Sequence, residues 1–327
     1  MRARARAICI LLTTAFAGCH IAPQPPADAG DPVDRGKPAL REWRDVARDR
    51  AVPALVRMPS LDGFDAPFPV VLVSHGIGQS RQSYAYLGKA LADAGFVVAH
   101  VTHVGSDESV YAEPDPFVAA LARVSDPDER AERPLDLRFA LDQLLADPEI
   151  GPRCDPTRVA VVGHSFGAHS AMALAGLRFD QETKTKPAFT DARVRAVVAI
   201  SPQGPGVMGL TESSWDLIEA PLLTITGSDD VALDSLVNSD RSAAFERSAS
   251  PDACYVSFDG ATHDDFADAA DPPPARRQAW VRDETARIAA MFLQRCLLAT
   301  GDLADLREYR PPNGDWRLRG FGELPSE

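Results

Sequence analysis

Short apolar runs alternate along the chain with stretches whose apolar residues recur at helical spacing. The runs are Val52–Arg57, Pro69–Ser74, Phe96–Val101, Arg158–Val162, Val194–Ser201, Leu222–Thr226 and Cys254–Phe258. Several are solid with Val, Ile and Leu, the pattern of strands buried on both faces of a parallel sheet. Between them, Tyr84–Ala94, Leu135–Leu145, Phe166–Leu177 and Ala279–Leu298 predict helices. Leu137, Leu141, Leu144 and Leu145, for instance, fall on one helical face. Such an order predicts an α/β architecture, a mostly parallel sheet with helices on both faces. There is no internal repeat, and residues 39–327 are expected to form a single domain.

Two stretches interrupt the alternation. Residues 103–134 run from a strand end into the helix at Leu135 and are expected to be a long loop, a lid or pocket wall, containing one short amphipathic piece at Phe117–Val124. Their apolar members Val110, Tyr111, Phe117, Val118 and Leu121 are expected to form its inner surface. Residues 202–217, rich in Gly and Pro, also begin at a strand end and are expected to close the other side. Gln203 would stand near the reacting centre there, with Met208 and Leu210 behind it. Parallel sheets bind ligands at the carboxyl ends of their strands, where both stretches start.

The first 19 residues lack this pattern. Arg2, Arg4 and Arg6 precede a short apolar run from Ile8 to Ala17, and Ala17-Gly18-Cys19 ends it. The run is too short to span a bilayer, so a cleaved export signal is expected rather than a membrane helix. The ending is similar to a bacterial lipoprotein signal, which would lipidate Cys19; a plain secretory signal is the alternative. Residues 20–38, with five prolines, read as a tether. The only membrane contact expected is through this anchor.

Net charge is −13, which argues against nucleic acid or anionic lipid as partner. Beyond the signal there are three cysteines, Cys154, Cys254 and Cys296. Export would permit one disulfide, for which Cys254–Cys296 is the expected pair; three buried thiols are the alternative. No CxxC or HExxH spacing points to a metal, and no cofactor is expected.

The strongest chemical signal is Gly163-His164-Ser165-Phe166-Gly167, between the buried run Val159–Val162 and a helix rich in small residues. A Gly-x-Ser-x-Gly turn in this context exposes the serine hydroxyl above the strand ends. A serine becomes nucleophilic only when a base takes its proton and a carboxylate supports the imidazolium. His263 follows the strand-like run Tyr255–Phe258 and is the expected base. Asp230, at the end of Gly227-Ser228-Asp229-Asp230, is the expected acid, with Asp229 as the alternative. The oxyanion of an acyl-transfer intermediate needs two backbone donors. Phe166 supplies one and Ile77, in the turn His75-Gly76-Ile77-Gly78, the other. His75 is expected to stabilise that turn. The rival reading of Gly76-x-Gly78 as a nucleotide loop lacks the third glycine and a placed acid.

Together with Arg48–Pro53, Ser74–Gly78, Arg133–Arg138, Ile200–Gly204 and Asp259–His263, these segments resemble the bacterial platelet-activating factor acetylhydrolase-like and "predicted dienelactone hydrolase" group of α/β-hydrolases. The resemblance covers about residues 43–299. It implies the α/β-hydrolase fold and the triad, and so hydrolysis of a small-molecule or lipid ester through an acyl-serine; the two stretches that would cover the pocket predict a short to medium acyl group. Lipase, polyester and phospholipid-acetyl hydrolysis are alternatives on the same triad. Dienelactone hydrolases carry a cysteine nucleophile, whereas this chain has Ser165. The mammalian acetylhydrolase places its acid one strand earlier, where this chain has Ser201-Pro202-Gln203. A different class, an exported binding protein on a hydrolase scaffold, is the competing reading.

Overall fold

The computed structural model describes residues 37–59, 66–180, 189–231, 240–268, 279–298 and 303–321. The expected export signal and nearly all of the expected tether lie outside them. In chain order the elements are β1 (Ala39–Asp45), β2 (Arg50–Arg57), β3 (Phe68–Ser74), α1 (Ala85–Asp93), β4 (Val97–Val101), α2 (Pro116–Ser125), α3 (Pro127–Ala146), β5 (Cys154–His164) and α4 (Phe166–Ala175). They continue with β6 (Val194–Ile200), β7 (Leu222–Asp229), α5 (Ala243–Arg247), β8 (Ala253–Thr262), α6 (Ala279–Leu297), α7 (Leu303–Glu308) and β9 (Gly314–Arg319).

The nine strands form one sheet in the order β1-β2-β4-β3-β5-β6-β7-β8-β9. Pairing is parallel from β4 to β8 and antiparallel at β1–β2, β2–β4 and β8–β9. Strand β3 shows why the inner strands read as unbroken apolar runs. Its Val70 and Leu72 pack with Leu137, Leu141 and Met172 on one side of the sheet. Its Val71 and Val73 pack with Leu87, Leu91, Ile288 and Phe292 on the other. Both faces are covered by helices, so alternate residues are equally apolar.

All seven expected strands and all four expected helices form. The edge strands β1 and β9 were not expected, because charged residues interrupt them, as Arg41, Glu42 and Arg44 do around Trp43 in β1. Within β1, register places Ala39 opposite Val56 of β2, and Val56 faces Ala99 of β4.

The stretch 103–134 departs from expectation, being mostly helical. A 3₁₀ turn spans Glu108–Ala112, and α2 and the first two turns of α3 take up much of the rest. The prolines begin these helices. Asp115 and Asp126 cap them by accepting bonds from the N–H groups of Val118 and Asp128, and Pro116 and Pro127 occupy the first turn, where no N–H is needed. Pro134 lies inside α3 and does not end it.

The expected Cys254–Cys296 disulfide is also corrected. Cys154, Cys254 and Cys296 are all free thiols, and burial pushes each thiol up from its ordinary value, Cys154 to about 12. Buried in this way they act as small apolar side chains. The melting temperature of protein lacking residues 1–19 should therefore be the same with and without reductant, and denatured, unreduced protein should titrate three thiols. A single titratable thiol together with a reductant-sensitive melting temperature would restore the disulfide.

Candidate active site

Strand β5 ends at His164, helix α4 begins at Phe166, and Ser165 joins them with φ 55° and ψ −120°. A non-glycine residue held there stores about 1–3 kcal/mol of strain, which the surroundings must impose. Two glycines show how. A Cβ on Gly163 would come within 2.0 Å of the Gly167 carbonyl oxygen, and one on Gly167 within 2.0 Å of the Ser74 carbonyl oxygen. The turn thus closes on itself and presses against the end of β3. Ser165 N–H donates to the Ile200 carbonyl at 2.9 Å, which fixes the turn on β6. The serine is left at the positive end of α4.

The expected base and acid meet. His263 Nδ1 lies 2.8 Å from Asp230 Oδ1. A carboxylate only accepts, so Nδ1 carries the hydrogen and Nε2 is left as the basic nitrogen. His263 opens a 3₁₀ turn after β8, held by a capping box between Thr262 and Asp265. Its ring packs on His164 with centroids 4.7 Å apart, and the Tyr84 hydroxyl lies 2.7 Å from His164 Nδ1. Burial, and then the neighbouring His263, hold His164 neutral, well below the ordinary histidine value.

Asp230 follows β7, and Thr226 Oγ1 donates to its second oxygen at 2.7 Å. Arg241 stands 3.6 Å from Oδ1. Burial opposes the Asp230 charge, but the His263 bond and the positive charge of Arg241 outweigh it, and the carboxyl is held well below the usual range. Its charge therefore stabilises the fold at neutral pH, and that contribution is lost only as pH falls below about 4. The alternative acid, Asp229, is exposed and accepts from Ser228 Oγ at 3.0 Å.

Ser165 and His263 line one cavity of about 650 Å³, together with Ile77 and Phe166. Gln203, Tyr111 and Met208 line it as expected, and Leu121 and Val124 of α2 and Val207 complete its apolar wall. Phe117 does not join them. It sits on the outer side of α2, 57% exposed, as does Val118. Val110 and Leu210 are buried in the protein interior.

Beneath the turn 75–78 lies a buried network that sequence reasoning missed. Arg133 donates to Ser106 Oγ at 2.8 Å, to Ser170 Oγ at 3.1 Å and to the His75 carbonyl, and its guanidinium lies 4.2 Å from the Phe166 ring. The Ser106 carbonyl in turn accepts from Gly78 N–H at 3.0 Å. His75 stabilises the turn as expected: Nδ1 donates to the Gly76 carbonyl at 2.6 Å, and Nε2 accepts from His103 N–H at 2.9 Å. His103 bridges Ser74 Oγ and Asp136, which also receives Arg48 and Arg50. The sequence signal was an Arg and an Asp three apart on the apolar face of a helix, where only paired charges are buried.

The sheet order and the strand–turn–helix at Ser165 define an α/β-hydrolase fold. The alpha/beta hydrolase family matches residues 70–320, and the chain belongs to it. It is 26% identical over 258 residues to cutinase cut1 of Thermobifida fusca, an alignment covering 73% of this chain and 66% of that one. It is 27% identical over 256 residues to cutinase est1 of Thermobifida alba, covering 73% and 72%. Among solved structures it is similar in fold to a ferulic acid esterase from Streptomyces cinnamoneus, with TM-score 0.58 and 19% identity over 78% of this chain and 85% of that one.

The two adjacent aspartates give a direct test of the pairing. Asp230→Asn should lower ester turnover by at least about 10³-fold, because the amide enforces the wrong imidazole tautomer. Asp229→Asn should keep most of it. The reverse order would move the acid to Asp229.

Proposed function

We propose that this protein is a carboxylic ester hydrolase working through an acyl-serine intermediate. The observation that carries the reading is the hydrogen-bonded Asp230–His263 pair opening on the same cavity as a serine held at positive φ. In the first step His263 Nε2 takes the Ser165 proton as Oγ attacks the ester carbonyl, and the carbonyl oxygen becomes an oxyanion. The N–H groups of Ile77 and Phe166, and the end of α4, stabilise that charge. His263 then gives the proton to the leaving alkoxide, and water repeats the sequence to free the acid. Asp230 holds the imidazole and balances its transient charge.

The names of the relatives, cutinases and an esterase, support an ester as the substrate class. Walls built from Leu121, Val124, Val207 and Met208 suit a short to medium acyl group. Tyr111 and Val231, 65% and 70% exposed at the cavity mouth, suit an apolar remainder lying outside it, as in a polyester or lipid. The resemblance of its motifs to the acetylhydrolase-like group keeps an acetylated lipid among such substrates. Export by residues 1–19, with a lipid on Cys19 and residues 20–38 as tether, belongs to the same reading.

Ser165→Ala should fold as the parent does, lose labelling by a fluorophosphonate probe, and lose at least about 10³-fold in ester kcat. Retention of more than a tenth of the turnover would remove Ser165 from the role. A binding protein on this scaffold would fail to react with the probe even as wild type.

Across p-nitrophenyl esters, kcat/KM should peak between acetyl and hexanoyl. Each methylene buried in the cavity contributes about 0.8 kcal/mol until the space is filled, and later ones stay wet. A steady climb to palmitoyl would indicate an open groove instead.

A further inference from the structure

The turn 75–78 is followed by a side chain whose two ends are used unequally. Gln79 is half-buried and lines the cavity with Ser165 and His263. Its Oε1 accepts the Gly76 N–H at 3.0 Å and the Tyr84 hydroxyl hydrogen. The Gly76 bond fixes which end is which, because a flipped amide would set its own donors against that N–H. The Tyr84 hydroxyl has one hydrogen, spent on Gln79, so its oxygen accepts from His164 Nδ1 at 2.7 Å. A chain of bonds thus runs from buried His164 through buried Tyr84 into the amide, and each bond polarises the next. Both lone pairs of Oε1 are occupied. The Nε2 end keeps two N–H groups that meet no acceptor among the described residues, and it is open to solvent rather than sealed.

We propose that Gln79 donates from Nε2 to an oxygen in the alcohol part of the substrate, so that preferred esters carry a second oxygen acceptor close to the ester group on that side. The chain of bonds runs toward the base, since the His164 ring packs on His263 with centroids 4.7 Å apart. His263 hands its proton to the leaving alkoxide, so the alcohol lies on this side of the cavity. Donors open to solvent are hydrated before a substrate arrives, and a substrate that displaces the water must supply another acceptor or lose the bond. An ether, ester or hydroxyl oxygen supplies one, whereas a methylene at the same place does not. With its oxygen committed to Gly76 and Tyr84, the amide offers the substrate donors alone. This inference rests on the cavity being an ester-hydrolysing site.

The test compares butyrate esters in pairs matched for length, 2-methoxyethyl with butyl and 2-hydroxyethyl with propyl. Intrinsic activation by the second oxygen is the same for every variant, so each kcat/KM ratio is read against that of Gln79→Met. Both ratios should be about fivefold or more higher in the wild type. Gln79→Glu keeps an oxygen for Gly76 and Tyr84 but turns a second acceptor to the substrate. It should lose the methoxyethyl preference and keep the hydroxyethyl one, because only a hydroxyl can donate to a carboxylate. This comparison with the wild type stands even where Gln79→Met does not fold. A residue that merely held the turn through Oε1 would change all four esters alike and leave the ratios untouched. Equal ratios in wild type and Gln79→Met, or a methoxyethyl preference that survives in Gln79→Glu, would overturn the assignment. Fluorophosphonate labelling of the wild type separates the two readings. A labelled but unselective enzyme defeats only the role of Gln79, whereas an unlabelled one defeats the hydrolase itself.

Discussion

Three backbones meet at the carboxyl end of β5 too closely for any side chain to intervene. The Gly163 and Gly167 positions, each with a carbonyl oxygen where a Cβ would stand, draw α4 against β5 and against the end of β3. The remaining parts of the site follow from this approach. It forces Ser165 into a conformation that an isolated peptide would avoid, at the edge of the cavity. It also places the start of α4 beside the turn 75–78, so that Ile77 and Phe166, from distant parts of the chain, line one cavity. Small Ala168 and Ala171, buried under the sheet's helical cover, allow the helix to come this near.

Charge is handled differently on the two sides of that junction. Asp230, His263 and Arg241 are arranged so that a proton can move, with the carboxylate kept ionised and the imidazole left with one basic nitrogen. Behind the turn 75–78, Arg133 and Asp136 are buried among hydroxyls, carbonyls and two neutral histidines. Burial there lowers the ordinary basicity of the arginine, yet a guanidinium remains charged. A fixed positive charge beneath the turn both ties its carbonyls down and favours negative charge above it. Removing one partner from such a network leaves a buried charge uncompensated, which is why its members stand or fall together.

The inner sheet, the serine turn, the pairing of His263 with Asp230 and the turn role of His75 were legible in the residues, because each depends on a local pattern. Solid apolar runs mark strands covered on both faces, and Gly-x-Ser-x-Gly marks a turn in which only glycine fits. The rest depended on context. Edge strands β1 and β9 are rich in charge, and their few apolar residues, Trp43 in one and Trp316 and Leu318 in the other, make no apolar run to announce them. Asp-Pro pairs at 115–116 and 126–127 begin helices yet resemble loop punctuation, so the stretch read as a long loop around one short amphipathic piece. The network around Arg133 joins residues 74, 75, 103, 106, 133, 136 and 170, and no spacing in one dimension connects them. Cys254 and Cys296 stood at plausible ends of a crosslink, but whether two thiols bond is decided by their mutual geometry.

The direction in which the chain enters the sheet bears on how an anchored molecule would be oriented. Ala39 stands opposite Val56, at the end of β2 that lies beside the beginning of β4. Parallel strands begin at that pole of the sheet and end at the other, where Ser165, Asp230 and His263 are gathered. A lipid on Cys19 would thus hold the molecule by the pole remote from its cavity.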